Sequence, residues 1–593
     1  MTDILIKNGM IIDGTGREAF VADIAIQNGL ISAIGSALGK ADEIIDAKGQ
    51  IVTPGFVDLH THYDGQVSWD EKLEPSVYHG VTTVVMGNCG VGFAPVHPED
   101  HEKLISLMEG VEEIPGAALA EGLTWEWSSF PEYLDAIDTP HTIDFAAHLC
   151  HDPLRVYVMR DRALFDQEAT EEDISAMRLL TEEALAAGAI GFSTGRSDVH
   201  RSSEGEWTPS SEATEEELAG IGAALSSSTH GVLQAVNDFD LERDDQTAFE
   251  REWALLEKFA QSSEGRPFSL SLMQRDFAPQ QWQHILEKAE KAKAKDIDIR
   301  LQVAPRGIGV TLGLNCTFHP FMGHPSYKKI HDKPLRDRVT LMKDPAFKVQ
   351  LLSETMEPLA GDGTPIPPLA DKLLQMIDFI SCKMFLLDEY PDYEQGPENS
   401  VYKMAERAGV PPLEMIYDLM LQDEGQAFIY FPIYNYTNMN YDALEEMMAH
   451  PQSLMGLSDG GAHVGTVCDA SFPTYLLSHW TRDRTRGKKI SLEEAVKRLT
   501  SESADYIGFQ DRGRLEVGKK ADINIIDYDK LRIKRPTMVT DLPAGGKRLM
   551  QKAEGMTATL VAGKVILKDG CLTGELPGRL VRGGQLKGKL AAE

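Results

Sequence analysis

The sequence predicts an α/β protein, a TIM-like (β/α)8 barrel joined to a small β-sandwich. Two observations predict the barrel: short apolar runs alternate with helical segments through the middle of the chain, and there are eight such runs. The sandwich is predicted because β-rich segments occur at both ends of the chain. The eight candidate strands begin at Val52, Val81, Thr142, Ala189, Gly231, Phe268, Ile297 and Ser453.

The two ends of the chain share one pattern. The first fifty residues alternate apolar and polar positions in short runs such as ILIKNGMIID, with Asn-Gly turns between them. A similar pattern returns in ADINIIDYD and TATLVAGKVILKDG. We therefore predict that residues 1–52 and 508–593 form one composite β-sandwich domain, with the chain ends side by side, and that residues 53–507 form the barrel.

Several helices between the strands show recognisable ends. Thr214 and Ser491 are each followed three residues later by a glutamate, which is the spacing of a capping box. The helix that starts at Thr170 is predicted to end at Gly188, a residue suited to a left-handed C-terminal cap.

The connection between the seventh and eighth candidate strands is unusually long. It has about 150 residues, far more than one loop and one helix need. Residues 307–400 are rich in Gly, Pro and His, as in LGLNCTFHPFMGHPSY. We interpret this stretch as an inserted lid or subdomain over the barrel mouth.

Composition excludes several kinds of partner. With 58 basic and 92 acidic residues, the formal net charge of −34 repels phosphate backbones and anionic lipid headgroups, so neither nucleic acid nor a membrane is expected. No signal-like start and no span of roughly 18 apolar residues occurs, so we expect a cytoplasmic protein. The six cysteines lack CxxC spacing and predict no disulfide framework. Oligomeric state stays open, although barrels of this kind commonly form homo-oligomers.

The strongest chemical signal is TPGFVDLHTHYDG, in which His60 and His62 stand two residues apart at the end of an apolar run. Strand alternation puts both imidazoles on one face, and the carboxyl end of a barrel strand is the barrel mouth. Two neutral imidazoles are good ligands for zinc and similar divalent ions. The pair therefore predicts a metal site, although HxH pairs also occur by chance on surfaces.

The motif PGFVDLHTH resembles the first-strand signature of the amidohydrolase superfamily. The following VTTVVMGNCGVGFAP, residues 81–95, resembles the D-aminoacylase (N-acyl-D-amino-acid deacylase) family in particular. GLSDGGAH, residues 456–463, and DRGRLEVGKKADINIID, residues 511–527, are similar to the eighth strand of that superfamily and its return into the sandwich. The resemblance spans nearly the whole chain, except about 307–400.

The resemblance implies a set of metal ligands and a reaction. The ligands it implies are His60, His62, Cys89 and Asp459. Asp459 would also be the catalytic acid and base, taking a proton from water and returning it to the leaving amine. Considered without the resemblance, Cys89 could equally be a small core residue and Ser-Asp-Gly-Gly a plain turn.

The sequence departs from the family pattern at two positions. Family members usually supply histidine ligands after the fifth and sixth strands, where this chain offers Gln234 and Gln274. Because glutamine is a weak metal ligand, we expect one divalent ion per chain, zinc in the first instance, rather than two. No lysine stands in GFSTGRSDVH, so a carbamylated-lysine bridge is not expected.

Other polar residues are candidates for binding a small-molecule amide substrate. Arg196 and Arg306 follow the fourth and seventh strands, and a guanidinium can hold a carboxylate by two hydrogen bonds. His463, four residues past Asp459, is a further ligand or proton shuttle by hypothesis. Gln234 and Gln274 complete the set, and a structural role is open for each.

Three functions remain open. The favoured one is metal-dependent hydrolysis of a non-peptide amide, such as deacylation of an N-acyl-D-amino acid. The same chemistry would serve a cyclic amide, an ester or a carbamate, because activated water attacks any of these carbonyls. A non-catalytic scaffold that kept the barrel is the third, and the two glutamines are the feature in its favour.

Overall fold

The computed structural model describes residues 2–164, 167–197, 199–239, 245–360, 366 and 368–584. Strands and helices are numbered below in chain order. Residues 585–593 of the predicted sandwich lie outside the described residues.

A nine-stranded sheet takes strands from both ends of the chain. Its order is β25-β24-β23-β18-β5-β1-β2-β3, and β4 pairs with β1. The central pair, β5 and β18, is antiparallel with Val52 opposite Ile525, and both side chains are fully buried. The strands are β1 (Thr2–Ile11), β2 (Phe20–Gln27), β3 (Leu30–Gly35), β4 (Ala41–Asp46), β5 (Ile51–Pro54), β18 (Ile523–Ile526), β23 (Met556–Val561), β24 (Lys564–Lys568) and β25 (Cys571–Leu572).

Two parallel sheets occupy the middle of the chain. The smaller has the order β6-β7-β8 and the larger β17-β13-β12-β11-β10-β9. Every one of the eight candidate strand regions contains a strand of these sheets. The strands are β6 (Phe56–Asp58), β7 (Val81–Met86), β8 (Asp144–Ala147), β9 (Leu149–Cys150), β10 (Gly191–Arg196), β11 (Val232–Asn237), β12 (Phe268–Ser271), β13 (Ile299–Val303) and β17 (Ser453–Met455).

Backbone hydrogen bonds join the two parallel sheets at both pairs of edges. The first pair of edges is β8 and β9, which are separated in the chain by His148. The second pair is β6 and β17, where the residues that follow β6 bond those that follow β17. The bonds run from His148 N to Met86 O (3.0 Å), Ile190 N to Ala147 O (2.9 Å), Asp459 N to His60 O (3.1 Å) and His62 N to Gly460 O (2.8 Å).

The first candidate strand is divided between two sheets at Gly55. β5 ends at Pro54 in the nine-stranded sheet, and β6 begins at Phe56 against β7. A Cβ atom on Gly55 would lie 2.1 Å from the hydroxyl oxygen of Thr82 in β7. The chain therefore passes β7 at Gly55 more closely than a side chain would allow. The nine-stranded sheet therefore reaches past residue 52, because one extended run serves both sheets.

The connection after β13 is an inserted unit with its own apolar core. Its sheet has the antiparallel order β14-β16-β15, with β14 (Ile308–Leu312), β15 (Phe385–Leu386) and β16 (Ile429–Tyr434). The unit extends to Tyr434, beyond the predicted limit of residue 400. The last two helices and β16 carry the pattern of ordinary core elements and pack into the same cluster, which includes Leu312, Phe321, Val401, Ile416, Tyr417 and Ile429.

Helices cover the parallel strands and complete the inserted unit. Thr214 and Ser491 cap helices, each accepting a hydrogen bond from the amide of the glutamate three residues on, which is one of the two bonds of the predicted capping box. Gly188 ends the helix that Thr170 caps, as predicted. The helices are α1 (His101–Glu112), α2 (Gly116–Gly122), α3 (Phe130–Ile137), α4 (His151–Met159), α5 (Asp161–Leu164), α6 (Glu171–Ala187), α7 (Glu215–Gly222), α8 (Gln246–Ser262), α9 (Gln281–Lys293), α10 (Pro325–Lys328), α11 (Leu335–Met342), α12 (Pro345–Ser353), α13 (Pro368–Gln375), α14 (Ile377–Ile380), α15 (Val401–Ala408), α16 (Pro412–Met420), α17 (Asp442–Ala449), α18 (Phe472–Tyr475), α19 (Leu492–Lys497) and α20 (Ser503–Ile507).

Two small strand pairs precede β23. The pairs are β19 (Arg532–Ile533) with β22 (Ala553–Glu554) and β20 (Thr537–Thr540) with β21 (Lys547–Met550).

In the described part of the chain, no helix combines the length and apolarity needed to cross a bilayer.

Candidate metal centre

His60 and His62 lie just beyond the carboxyl end of β6 and are almost completely buried. Between them Thr61 bridges to Gly460, which keeps the segment extended and both imidazoles on one side. Burial lowers the pKa of both histidines, so each imidazole is neutral and can offer a lone pair to a metal.

Each histidine has an oxygen close to its Nδ1 atom. His60 Nδ1 lies 2.8 Å from Gln302 Oε1 in a hydrogen bond, whereas His62 Nδ1 lies 3.2 Å from Glu112 Oε1 without hydrogen-bond geometry. The hydrogen bond to Gln302 keeps a proton on Nδ1 of His60 and leaves its Nε2 lone pair free, and the nearby carboxyl group of Glu112 favours the same tautomer of His62 electrostatically. Both Nε2 atoms are therefore the donors presented at the centre.

Cys89 follows β7 in a tight turn, with φ of 57° between glycines that also have positive φ. This backbone places its Sγ 3.2 Å from His60 Nε2, and its amide donates to Gln234 Oε1 at 3.1 Å. Burial raises the pKa of the Cys89 thiol well above its ordinary value, and Glu112 and Asp459 raise it further. A divalent cation is the group that would keep this sulfur a thiolate.

Asp459 comes from the other side of the centre, after β17, and also has a left-handed backbone with φ of 48°. Its Oδ1 lies 3.4 Å from His60 Nε2 and 3.8 Å from His62 Nε2. The carboxylate keeps 17% of its surface exposed, whereas both imidazoles keep 1%. It therefore borders the open side of the centre.

These four donors fit one tetrahedral divalent ion. The ligand atoms of His60, His62 and Cys89 all lie within 4.8 Å of one another. Around a tetrahedral zinc, nitrogen, oxygen and sulfur ligands stand about 3.3 to 3.6 Å apart. The separations of 3.2 Å from His60 Nε2 to Cys89 Sγ, 3.4 Å from His60 Nε2 to Asp459 Oδ1 and 3.8 Å from His62 Nε2 to Asp459 Oδ1 scatter about that spacing.

Sequence reasoning missed Glu112, the last residue of α1. Its side chain is buried, with Oε1 near His62 and Oε2 3.5 Å from Nε2 of His463. Burial raises the pKa of Glu112 well above its ordinary value, and Asp459 and Asp64 raise it further. A signal was present in the sequence, because Glu112 falls on the apolar stripe of α1, four residues after buried Met108.

Replacing Glu112 by glutamine should weaken zinc binding about 10- to 100-fold, because it removes the carboxyl group beside His62 Nδ1, which a bound cation would keep ionised and which would then increase the basicity of His62. The measurement is a zinc affinity by competition with a chromogenic chelator. Glu102→Gln, on the exposed face of the same helix, is the matched control and should leave the affinity unchanged. An unaltered affinity for Glu112→Gln would show that the contact with His62 is incidental.

A cavity of about 1010 Å³ opens over the centre. Its lining includes all four donors together with His463 and His200, a half-buried histidine that sequence reasoning did not single out. Burial lowers the pKa of His200 to about 3, so its imidazole is neutral. The donors therefore face a space large enough for a substrate.

The two glutamines have different positions. Gln234 on β11 is buried beside the centre, where its Oε1 accepts the hydrogen bond from the Cys89 amide. Gln274 lies after β12 and bonds the segment after β16, through Asn435 and Thr437. Neither is among the described residues that line the cavity.

The two arginines are engaged elsewhere. Arg196 binds both carboxylate oxygens of Glu252 and the Ala213 carbonyl. Arg306 is buried, donates to Asp469 at 2.8 Å, and lies 3.7 Å over the ring of Tyr393. Neither arginine lines the cavity in the described part of the chain, so both hold the framework together.

Two histidines, a cysteine and an aspartate lie after the carboxyl ends of parallel strands and face a large cavity, an arrangement in an α/β protein that could hold a divalent metal. Comparison with known proteins gives the family. The chain belongs to the amidohydrolase family, whose profile matches residues 43–567.

The chain is similar over nearly its whole length to D-aminoacylase of Alcaligenes xylosoxydans xylosoxydans, with 26% identity over 586 residues, covering 98% of this chain and 97% of that one. A D-aminoacylase structure described as having a binuclear metal centre superposes with a TM-score of 0.63 and 23% identity, covering 98% and 100%. N-acyl-D-glutamate deacylase from Bordetella bronchiseptica, solved with zinc and a phosphonate inhibitor, gives 0.63 and 23%, covering 98% and 99%. These structural likenesses show the amidohydrolase fold.

Proposed function

We propose that this protein is a metal-dependent hydrolase that cleaves the carbon–nitrogen bond of a linear, non-peptide amide, such as an N-acyl-D-amino acid. The observation that carries the proposal is the convergence of His60, His62, Cys89 and Asp459 at one point that faces the cavity. Relatives named D-aminoacylase and N-acyl-D-glutamate deacylase support the substrate class.

The architecture proposed with this function is a closed (β/α)8 barrel carrying a composite domain. The bonds at both edges of the parallel sheets support closure of the barrel. The nine-stranded sheet supports a composite domain built from both chain ends, and the inserted unit would cover the mouth. A cytoplasmic location belongs to the same proposal, supported by the six unpaired cysteines.

One ion per chain is the occupancy proposed, with zinc as the first candidate. Gln234 stands beside Cys89 where a second ion would need a histidine, and its Oε1 is already committed to the Cys89 amide. A D-aminoacylase is described as showing one-metal activation and second-metal attenuation, which makes a single ion sufficient for that enzyme.

The chemistry divides among the residues of the centre. A bound divalent metal lowers the pKa of water and polarises a carbonyl. Asp459 accepts a proton from the attacking water as the water oxygen bonds to the amide carbon. It returns that proton to the amide nitrogen as the carbon–nitrogen bond breaks. The hydrogen bond to Gln302 keeps the imidazole of His60 oriented, and the carboxyl group of Glu112 lies beside Nδ1 of His62.

The test is metal content per chain by elemental analysis, together with hydrolysis of N-acyl amino acids. Protein purified without chelators should carry about one zinc-like ion, and His60→Ala/His62→Ala should carry none, because two of four ligands are lost. His331→Ala removes an exposed histidine of the inserted unit and should leave the ion in place. A metal-free wild type, even after zinc supplementation, would sink the hydrolytic function and favour a scaffold.

Cyclic amides, esters and carbamates are the competing substrates. Assaying one of each beside an N-acyl-D-amino acid, with zinc-loaded enzyme, separates them from linear amides. If only the cyclic amide were hydrolysed, the proposed substrate class would change from linear to cyclic amides, and the proposed metal centre would stand.

A further inference from the structure

The cavity continues from the metal centre into the inserted unit. Ile308, Val310 and Leu312, on one face of β14, line it together with Gly309, which has no side chain. Phe431 and Ile433 of the paired strand β16 line it as well. One side of the cavity is therefore an apolar sheet face.

Helices and loops of the inserted unit complete this apolar lining. Leu374 of α13 and Ile380 of α14 lie on the cavity, joined by Met384, just before β15, and by Phe318 and Met322 from the segment after β14. None of the described cavity-lining residues between Ile308 and Tyr434 is Asp, Glu, Lys or Arg. Because burying an unpaired charge is costly, whatever enters this part is uncharged.

The charged lining residues come from outside the inserted unit. Asp459 belongs to the metal centre and Glu112 contacts it, while Lys547 lies on β21. The remaining ones, Glu109, Glu113 and Asp238, belong to the segments that end α1 and follow β11. The cavity thus has a charged part that holds the metal centre and an apolar part in the inserted unit.

The size of the cavity exceeds what a short acyl group needs. Pockets for drug-sized ligands measure roughly 300 to 1000 Å³, and this cavity of about 1010 Å³ stands at the upper limit. An acetyl group has two carbons and would leave most of the apolar part without a partner. A long aliphatic chain would fill it and gain from leaving water.

The two halves of the substrate can be assigned on this basis, given the proposed function. An N-acyl amino acid carries a carboxylate on the amine side of the scissile bond and only carbon chain on the acyl side. The carboxylate is excluded from the apolar part, and among the described charged lining residues Lys547 is the cation, the others being acidic, so the carboxylate is assigned to the side of Lys547. We propose that the inserted unit is an acyl-chain pocket, and that the substrate is an amino acid N-acylated by a fatty acyl chain of about eight or more carbons.

The first experiment is a chain-length series on the zinc-loaded wild type, with N-acetyl-, N-octanoyl- and N-dodecanoyl-D-alanine. Each methylene that enters an apolar pocket can raise kcat/KM by up to about fourfold. We expect the octanoyl substrate to exceed the acetyl one by at least about 100-fold. Equal kcat/KM across the series, or a decline from acetyl to dodecanoyl, would overturn the proposal.

Blocking variants locate the pocket. Val310→Trp fills the space beside β14, and Ile433→Trp does so from β16 in case the first variant fails to fold. Either should lower kcat/KM for the dodecanoyl substrate at least tenfold and leave the acetyl substrate nearly unchanged. Val349→Trp, at a side chain 70% exposed on α12, is the matched control and should change neither. A uniform loss with both substrates would contradict an acyl-chain pocket.

Calorimetric binding of dodecanoate separates the pocket from the proposed reaction. The wild type and Val349→Trp should bind it, and Val310→Trp should not. Binding with this pattern in a protein that hydrolyses no N-acyl amino acid would support the apolar pocket and refute the proposed function. Absence of binding to the wild type, together with hydrolysis of the acetyl substrate, would refute the pocket and leave the proposed function intact.

Discussion

Asp459→Asn is expected to lower kcat by about 10²- to 10⁴-fold, the usual contribution of a positioned acid and base. Asparagine has nearly the same shape and tolerates the left-handed backbone at this position, where φ is 48°. The amide of residue 459 would still donate to the His60 carbonyl, so the local fold should persist. The loss arises because a carboxamide cannot take the proton of water, and KM should change little.

The measurement is steady-state kinetics with zinc in excess, with metal content determined on the same sample. Asp569→Asn is the matched control, because Asp569 is exposed, also has φ of 48°, and lies on the turn between β24 and β25. Full activity in a zinc-loaded Asp459→Asn enzyme would remove Asp459 from the catalytic role.

Arg306→Met should lower the free energy of unfolding by about 3 to 5 kcal/mol, the cost of breaking a buried ion pair by removing one partner. Arg306 and Asp469 are both about 1% exposed, and the guanidinium also bonds the Cys468 carbonyl and packs over Tyr393. Methionine replaces the side-chain volume but leaves the Asp469 carboxyl without its cation. Urea unfolding monitored by circular dichroism measures the change.

The loss of stability should depend on pH. Burial raises the pKa of Asp469 to about 7, and Arg306 opposes that shift, so the folded-state pKa rises further without Arg306. In the unfolded chain an aspartate ionises near pH 3.9, so the unfolded state releases its proton first. The variant therefore loses stability as the pH rises above about 4, and should be further below wild type at pH 8 than at pH 5.

A second variant separates the ion pair from substrate binding. Arg306→Met/Asp469→Asn should recover part of the lost stability at pH 8, because no ionisable group stays buried without a partner. If Arg306 instead held a substrate carboxylate, Arg306→Met would raise KM and leave the unfolding free energy near that of the wild type.

Much of the framework could be predicted from the sequence because it is written in local patterns. Short apolar runs bounded by turns located all eight regions that contain the parallel strands, and the chain belongs to the family that the motif around His60 suggested. The structure also brings His60, His62, Cys89 and Asp459 together. Their convergence follows from strand order, since each stands just after the carboxyl end of a strand.

The partners of these residues could not be predicted, because they depend on contacts between distant segments. Gln302 reaches His60 from β13, and Glu112 reaches His62 from a helix end. The arginines looked like carboxylate binders in sequence, yet the nearest acidic side chains, Glu252 and Asp469, neutralise them within the fold. Pattern alone does not tell an arginine paired inside the protein from one that awaits a ligand.

The position of β5 between β1 and β18 sets an order on biosynthesis. A ribosome must deliver the chain through Ile526 before β5 can gain its second neighbour. One residue, Gly55, separates β5 from the strand that presents His60, so the anchor of the histidine segment is completed only after β18 has been synthesised. All four donors, through Asp459, precede β18 in the chain, so a nascent chain stalled between Asp459 and β18 carries the donor set without that anchor.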